Sequence, residues 1–177
     1  MPVVSNTSPL IWLSKIGKIR LRKELFNGVI IPEEVYKEAV ERGLQEGFSD
    51  ALVLKEAVDD GWIKTSKLNK IEVALCRKIM GHAFEIHLGE AQAIILARRI
   101  DLLLLIDESS GRAFAEAWGL KAKGTLYVIL SALRSGFMNS TEAKETVLSL
   151  VIKGFRIEPT LLARIMREIE NFNPKST

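Results

Sequence analysis

The chain has 177 residues, 47% of them hydrophobic and 27% charged, which fits one ordinary domain with a sizeable core and excludes a disordered or low-complexity protein. A net charge of +3 and a pI near 9.0 suit a polyanionic partner without requiring one. The lone Cys76 excludes an intrachain disulfide, and one cysteine with two histidines leaves too few ligands for a Cys/His zinc site.

In chain order, the first apolar run is "PVVS", which leads into Asn6. Residues 8 to 26 then carry Leu10, Ile11, Leu13, Ile16, Leu21 and Leu25 at helical spacing, with a break expected near Gly17. "GVII", 28 to 31, reads as a second strand; it stops at Pro32, which opens the helix "EEVYKEAVERG" that Gly43 is expected to end. "SDALVLKEAVDDG" reads as a helix capped by Ser49 and Asp50 and ended by Gly61, with "GWIKT" as a short strand behind it. Residues 69 to 80 and "LGEAQAIILARRI" read as two further helices, the second with two arginines in its last turn. "LLLLI", 102 to 106, is a strand that leads into Asp107 and Glu108; the helices "SSGRAFAEAWG" and "TLYVILSALRSG" follow. Short runs that are apolar on both faces and alternate with helices are the pattern of a three-layer α/β/α domain with a mostly parallel sheet.

From residue 140 the pattern changes. "STEAKETVLSLVIKG" and "EPTLLARIMREIENF" are amphipathic helices with no strand between them; Ser140 and Glu142 suit a helix start, Gly154 its close and Pro159 the front of the next. The chain therefore divides into an α/β domain of residues 1–137 and a C-terminal helical hairpin of residues 138–177 packed on it. The last five residues, "NPKST", are expected to fray. Exposed apolar helix positions predict a homodimer. No apolar run reaches the roughly 18 residues of a membrane span, and the N-terminus lacks a basic start followed by a long apolar run, so a cytoplasmic protein is expected.

In an open parallel sheet, ligands bind beyond the carboxyl ends of the strands where strand order reverses. Asn6 and Asp107 follow the two clearest strands and would face one crevice if those strands are neighbours. Glu38 follows Val35 by three and lies beside the buried edge of its helix; Glu90 stands in a first helical turn above Ile94 and Ala97, so its carboxylate heads an apolar stripe. Each has a plainer role beside this one. Asn6 and Asp107 can cap helices, Glu90 can complement a helix dipole and Glu38 can be solvated. Only the set points to chemistry. Lys15, Lys18, Arg20, Arg22 and Lys23 form the densest basic cluster, either a solvated face or a phosphate-contacting one; Lys121 and Lys123 precede Gly124, and Arg112, one turn after Asp107, is the better-placed candidate. His82 and His87 read as loop or core histidines, and Trp12, Trp62, Trp118 and Cys76 as core packing.

"VVSNTSPLIWLSKIG", "IIPEEVYKEAV", "LGEAQAIILA" and "LLLLIDESSGRAFAEAWGL" occur in the order expected of a PIN domain. Over residues 3 to 137 the chain resembles the prokaryotic branch of small single-domain PIN proteins akin to the toxin ribonucleases of toxin–antitoxin pairs. The resemblance implies four or five parallel strands, an acidic pocket at their carboxyl edge holding Mg²⁺ or Mn²⁺, RNA as substrate and a small antitoxin protein as partner. Carried over residue by residue, it places metal ligands at Asn6, Glu38, Glu90 and Asp107, the three acids among them being catalytic. Thr7 and Ser8 match the hydroxyl pair after the first acid, Glu108 is an extra ligand and Arg112 a substrate contact. The chemistry agrees, since these hard cations take oxygen ligands and need neither His nor Cys. The departure is Asn6, where the pattern has a carboxylate: an amide oxygen can ligate but brings no charge. Two readings stay open, a metal-dependent endoribonuclease and a weakened PIN-like domain acting as an RNA-binding or regulatory module. A generic doubly wound domain for a phosphorylated small molecule ranks last, because no Gly-rich phosphate loop is present.

Overall fold

The computed structural model describes residues 1–82 and 85–172. Its strands are β1 (Val3–Ser5), β2 (Val29–Pro32), β3 (Ile63–Ser66), β4 (Leu104–Leu105) and β5 (Ala122–Lys123). All are parallel, in the order β3-β2-β1-β4-β5. β1 pairs with β2 through Val3 and Val29 on one side and with β4 through Val4 and Leu104 on the other. Strand order therefore reverses beside β1, and the crevice of an open α/β sheet falls between the carboxyl ends of β1 and β4.

Because side chains alternate along a strand, the sheet feeds two cores. Val3, Val29, Ile31 and Leu105 enter one; Val4, Leu104 and Ile106 enter the other. The first is covered by α1 (Thr7–Lys15), α2 (Leu21–Phe26), α3 (Glu33–Tyr36) with its continuation, α5 (Ser49–Asp59) and α9 (Thr125–Arg134). The second is covered by α6 (Lys70–His82), α7 (Leu88–Ile100) and α8 (Ser109–Ala117). The result is the expected three-layer α/β/α arrangement. In α7, Ala91 and the run from Ala93 to Ala97 are all buried. Each large aliphatic side chain buried there contributes about 1.5–3 kcal/mol, enough to hold the acid at its N-terminal turn in place.

The last two helices, α10 (Ser140–Ile152) and α11 (Pro159–Glu170), send Val147, Leu150, Ile165 and Ile169 into the first core, which runs unbroken from the sheet through α9. The cap of α10 is Asn139 rather than Ser140: its side chain accepts from Glu142 N at 3.0 Å while the Glu142 carboxylate accepts from Asn139 N at 2.8 Å, a reciprocal capping box.

Other boundaries also differ from the sequence pattern. Gly43 does not end its helix. The chain passes through a wide π-helical turn, Lys37–Arg42, into α4 (Gly43–Gln45), and Gly47 at φ 77° ends it. Gly43 is needed for close approach: a Cβ there would lie 2.7 Å from Ala51 Cβ. Ser49 and Asp50 sit inside the first turn of α5, where Phe48 occupies the cap position. β5 had no legible signal, being two residues of an edge strand. His82 closes α6 instead of lying in a loop. Cys76 is fully buried, and burial pushes its thiol up to about 11. The segment 173–177, expected to fray, lies outside the described residues. Among those described, no helix is long and apolar enough to cross a membrane.

Candidate active site

Asn6 leaves β1 with its backbone N–H bonded to Leu105 O at 3.0 Å, and Asp107 follows Ile106, whose N–H bonds to Lys123 O at 2.7 Å. Sheet pairing thus brings two residues 101 positions apart in the sequence to one edge. Asn6 holds the cap position of α1 but makes no side-chain cap bond. Its Nδ2 instead donates to Glu108 Oε2 at 2.7 Å. Its Oδ1 is buried and has no partner among the described residues. The opposite amide orientation would set a carbonyl oxygen against a carboxylate, so the orphan oxygen follows from the Glu108 contact.

Asp107 does not cap its own helix. Glu108 occupies that cap position, and Asp107 turns to α9. Its Oδ1 accepts from Thr125 N at 2.6 Å and its Oδ2 from Thr125 Oγ1 at 2.7 Å and Ser8 Oγ at 3.3 Å. Gly124, the cap residue of α9, has no side chain to offer, and a Cβ there would lie 2.6 Å from Asp107 Oδ1. A distant carboxylate thus satisfies the first free N–H of α9 and gains from its dipole. Burial raises the Asp107 carboxyl, and the Thr125 hydrogen bonds oppose that rise.

Glu38 lies in the π-helical turn, accepts a hydrogen bond from Thr7 Oγ1, and packs against Gly89, where a Cβ would meet its Oε2 at 2.7 Å. Extra-wide turns of this kind recur at functional sites. Glu90 is 6% exposed above Ile94 and Ala97, as the helical stripe implied, and its Oε2 accepts from His87 N at 3.3 Å. Burial first, then the neighbouring Glu108 charge, pushes the Glu90 carboxyl up to about 7.

These residues line a cleft of about 380 Å³ formed by Asn6, Thr7, Ser8, Ile11, Trp12, Glu38, His87, Glu90 and Glu108. Three carboxylates and no Lys or Arg face it. Asp107 and Arg112 stand on an adjoining cleft, and the Ser8–Asp107 hydrogen bond joins the two. Among the described residues, no three acid, His or Cys side chains already form a metal-binding group. Glu38, Glu90, Asp107 and Glu108 are each engaged instead, by Thr7, His87, Thr125 and Asn6 in turn. The donor set nevertheless fits a hard cation. It offers a buried amide oxygen with no partner among the described residues, beside carboxylates with no Lys or Arg in the same cleft.

Three placements escaped the sequence pattern. Arg22 belongs to the basic run 15 to 23 but is 0% exposed, beneath the site: its Nη2 donates to Ser5 Oγ at 2.5 Å, and its Nε and Nη1 have no partner among the described residues. Burial lowers its pKa to about 9, against the pull of the Asp107 charge. Thr125 is the main support of Asp107. Trp12, read as core packing, lines the acid cleft and meets Phe155 edge-on, with ring centroids 5.3 Å apart.

No curated protein matches the chain. The model of a family described as PIN domain matches residues 2–171, a span that includes the sheet, the acid cleft and both C-terminal helices. PIN domains have a nuclease-type fold and generally use divalent metals. The all-parallel sheet, the crevice beside β1 and a match over nearly the whole length lead to one conclusion: the chain belongs to the PIN-domain family.

Proposed function

We propose that the protein is an endoribonuclease that depends on Mg²⁺ or Mn²⁺, with Asn6, Glu38, Glu90 and Asp107 as metal ligands and the three acids as the catalytic set. The observation that carries this reading is the unpartnered, buried Oδ1 of Asn6 in a cleft with three carboxylates and no Lys or Arg. A cation held there would acidify a bound water and neutralise charge on the scissile phosphate. The chain's own groups do the positioning. Thr125 and Ser8 hold Asp107, Thr7 holds Glu38, and Asn6 Nδ2 fixes Glu108 as an outer support. Glu90, near neutrality in its acidity, can hold or release a proton at its carboxylate as cation or substrate arrives.

The contact of Asn6 with Glu108 supports a second reading, in which the first ligand is weak and the domain binds RNA, as a regulatory module, more than it cleaves it. Toxin–antitoxin pairing belongs to the first reading and has the order of the motifs as its support. A homodimer is supported by Leu148, Val151 and Ile152, apolar and solvent-exposed on α10, and a monomeric elution volume in sizing chromatography counts against it.

The test is cleavage of single-stranded RNA with and without Mn²⁺ by the protein, Asn6→Asp and Asp107→Asn. Metal-dependent cleavage lost only in Asp107→Asn is expected. Binding without cleavage, rescued by Asn6→Asp, moves the conclusion to the second reading. Equal cleavage by all three overturns the site.

A further inference from the structure

The adjoining cleft is larger than the acid one, at about 720 Å³, and its character is different. Its walls are α8, β5 and α9 on one side and the loop between α10 and α11, with α11 itself, on the other. Arg112, Lys123, Arg134, Arg156 and Arg164 line it from both walls, and Tyr127 and Phe155 are in the same lining. Arg112 and Arg156 make no ion pair among the described residues. Four acids share the lining, and three are engaged: Glu168 pairs with Arg134, Glu158 caps α11 through Leu161 N, and Asp107 is held by Thr125, which leaves Glu116 beside five basic side chains.

Two contacts make this cleft continuous with the acid one. Asp107 lines it while bonded to Ser8 of the acid cleft, and Phe155 lines it while packed edge-on against Trp12 of the acid cleft. A chain leaving the acids past Asp107 and Trp12 therefore enters a trough whose five basic side chains outnumber its four acids and whose walls carry two aromatic rings. Cations and aromatic rings in one cleft suit a single-stranded polynucleotide, whose phosphates pair with the cations and whose bases stack on the rings. Lys123, held over the Tyr127 ring at 6.0 Å, already shows that pairing of cation and ring.

We propose that the C-terminal hairpin and the β5–α9 edge form a binding trough for single-stranded RNA that feeds the acid cleft. This rests on the nuclease reading for its direction, but the binding itself does not require cleavage. The hairpin would then be part of the substrate site as well as a cover for the first core.

The test is fluorescence anisotropy with a labelled, uncleavable 2′-O-methyl oligoribonucleotide, without divalent metal, across a salt series. The variants are Arg156→Gln/Arg164→Gln and the charge-preserving Arg156→Lys/Arg164→Lys, all on the full chain. Both positions are solvent-exposed, and thermal melting checks that each variant folds. The Gln pair is expected to weaken binding on the order of tenfold and to reduce the salt slope by about 1.4, two single-strand phosphate contacts. The Lys pair retains both. Unchanged affinity and slope in the Gln pair overturn the proposal, as does competition by an acidic peptide equal to that by unlabelled RNA. Loss of binding without any metal-dependent cleavage by the parent leaves the trough standing and removes the nuclease reading.

Discussion

Asn6 Nδ2 donates to Glu108 Oε2 at 2.7 Å, and this one contact leaves the amide oxygen of Asn6 buried and unpaired at the carboxyl end of β1. Asn6→Asp replaces the donor by an acceptor facing a carboxylate. In metal-free buffer it is expected to cost about 1–3 kcal/mol, the range for stranding a buried polar group. Added Mn²⁺ is expected to raise the melting temperature of Asn6→Asp more than that of the parent, because stabilisation by a ligand grows with its affinity. Thermal melting with and without the ion measures both, and an equal Mn²⁺ response in the two proteins removes Asn6 from the ligand set.

Glu90 gives a pH dependence of defined sign. Its carboxyl is raised to about 7, first by burial and then by the Glu108 charge. A raised folded pKa means the native state holds the proton more tightly than the unfolded chain. Its stabilising contribution is therefore full below about 4.5, the ordinary carboxyl value, and is lost as pH rises through about 7. The size is a few kcal/mol at most. Without metal, the melting temperature is expected to fall between pH 5.5 and 8, with Glu90→Gln flattening that fall. A slope of the same size in Glu90→Gln contradicts the assignment. Asp107, also raised by burial, acts in the same direction.

Thr125→Val removes the hydroxyl bonded to Asp107 Oδ2 and keeps the backbone bond to Oδ1. The expected cost is about 1–2 kcal/mol in urea unfolding, with a loss of metal-dependent cleavage that Thr125→Ser restores. Full cleavage by Thr125→Val shows that Asp107 needs no such support.

Gly124→Ala places a Cβ 2.6 Å from Asp107 Oδ1, an oxygen already held by Thr125 N. Asp107 must move, at about 1–3 kcal/mol of overpacking. Gly119→Ala is the comparison, since it meets no atom within 4 Å and carries only the strain of its φ of 79°. Cleavage is expected to fall for Gly124→Ala and to survive in Gly119→Ala; the reverse order contradicts the placement of Asp107.

Arg22→Met tests the buried cation under the site. Two of the three guanidinium nitrogens have no partner among the described residues, so its desolvation is poorly repaid. Replacing such a group by an apolar side chain of similar length is expected to be neutral or stabilising. Urea unfolding measures it, and a loss above about 3 kcal/mol would assign Arg22 a structural bond beyond the one to Ser5.

Much of the fold was written locally. "LGEAQAIILARRI" coincides with α7, Leu88–Ile100, because a 3.6-residue apolar period, an acid at the start and arginines at the end all act within one helix. The same holds for the runs that became β1, β2 and β4 and for Pro159 at the start of α11. The order of the motifs around Asn6, Glu38, Glu90 and Asp107 was legible too, and with it the PIN family. What the local pattern could not reach depends on neighbours distant in sequence. Gly43 lies within its helix, where Ala51 leaves no room for a Cβ. Arg22 is buried in what reads as a solvated basic run. Asp107 caps α9 rather than its own helix, because parallel pairing of β4 with β5 carries Gly124 beneath it. Asn6, by itself a helix cap, became an orphan oxygen only when β1 and β4 met and brought Glu108 within reach of its amide. Sequence by itself determined which residues are apolar, which are acidic and how they repeat, since those are properties of short segments. Tertiary structure decided which acids share a cleft and which groups go unpartnered, since sheet register and burial are set by contacts across the whole chain.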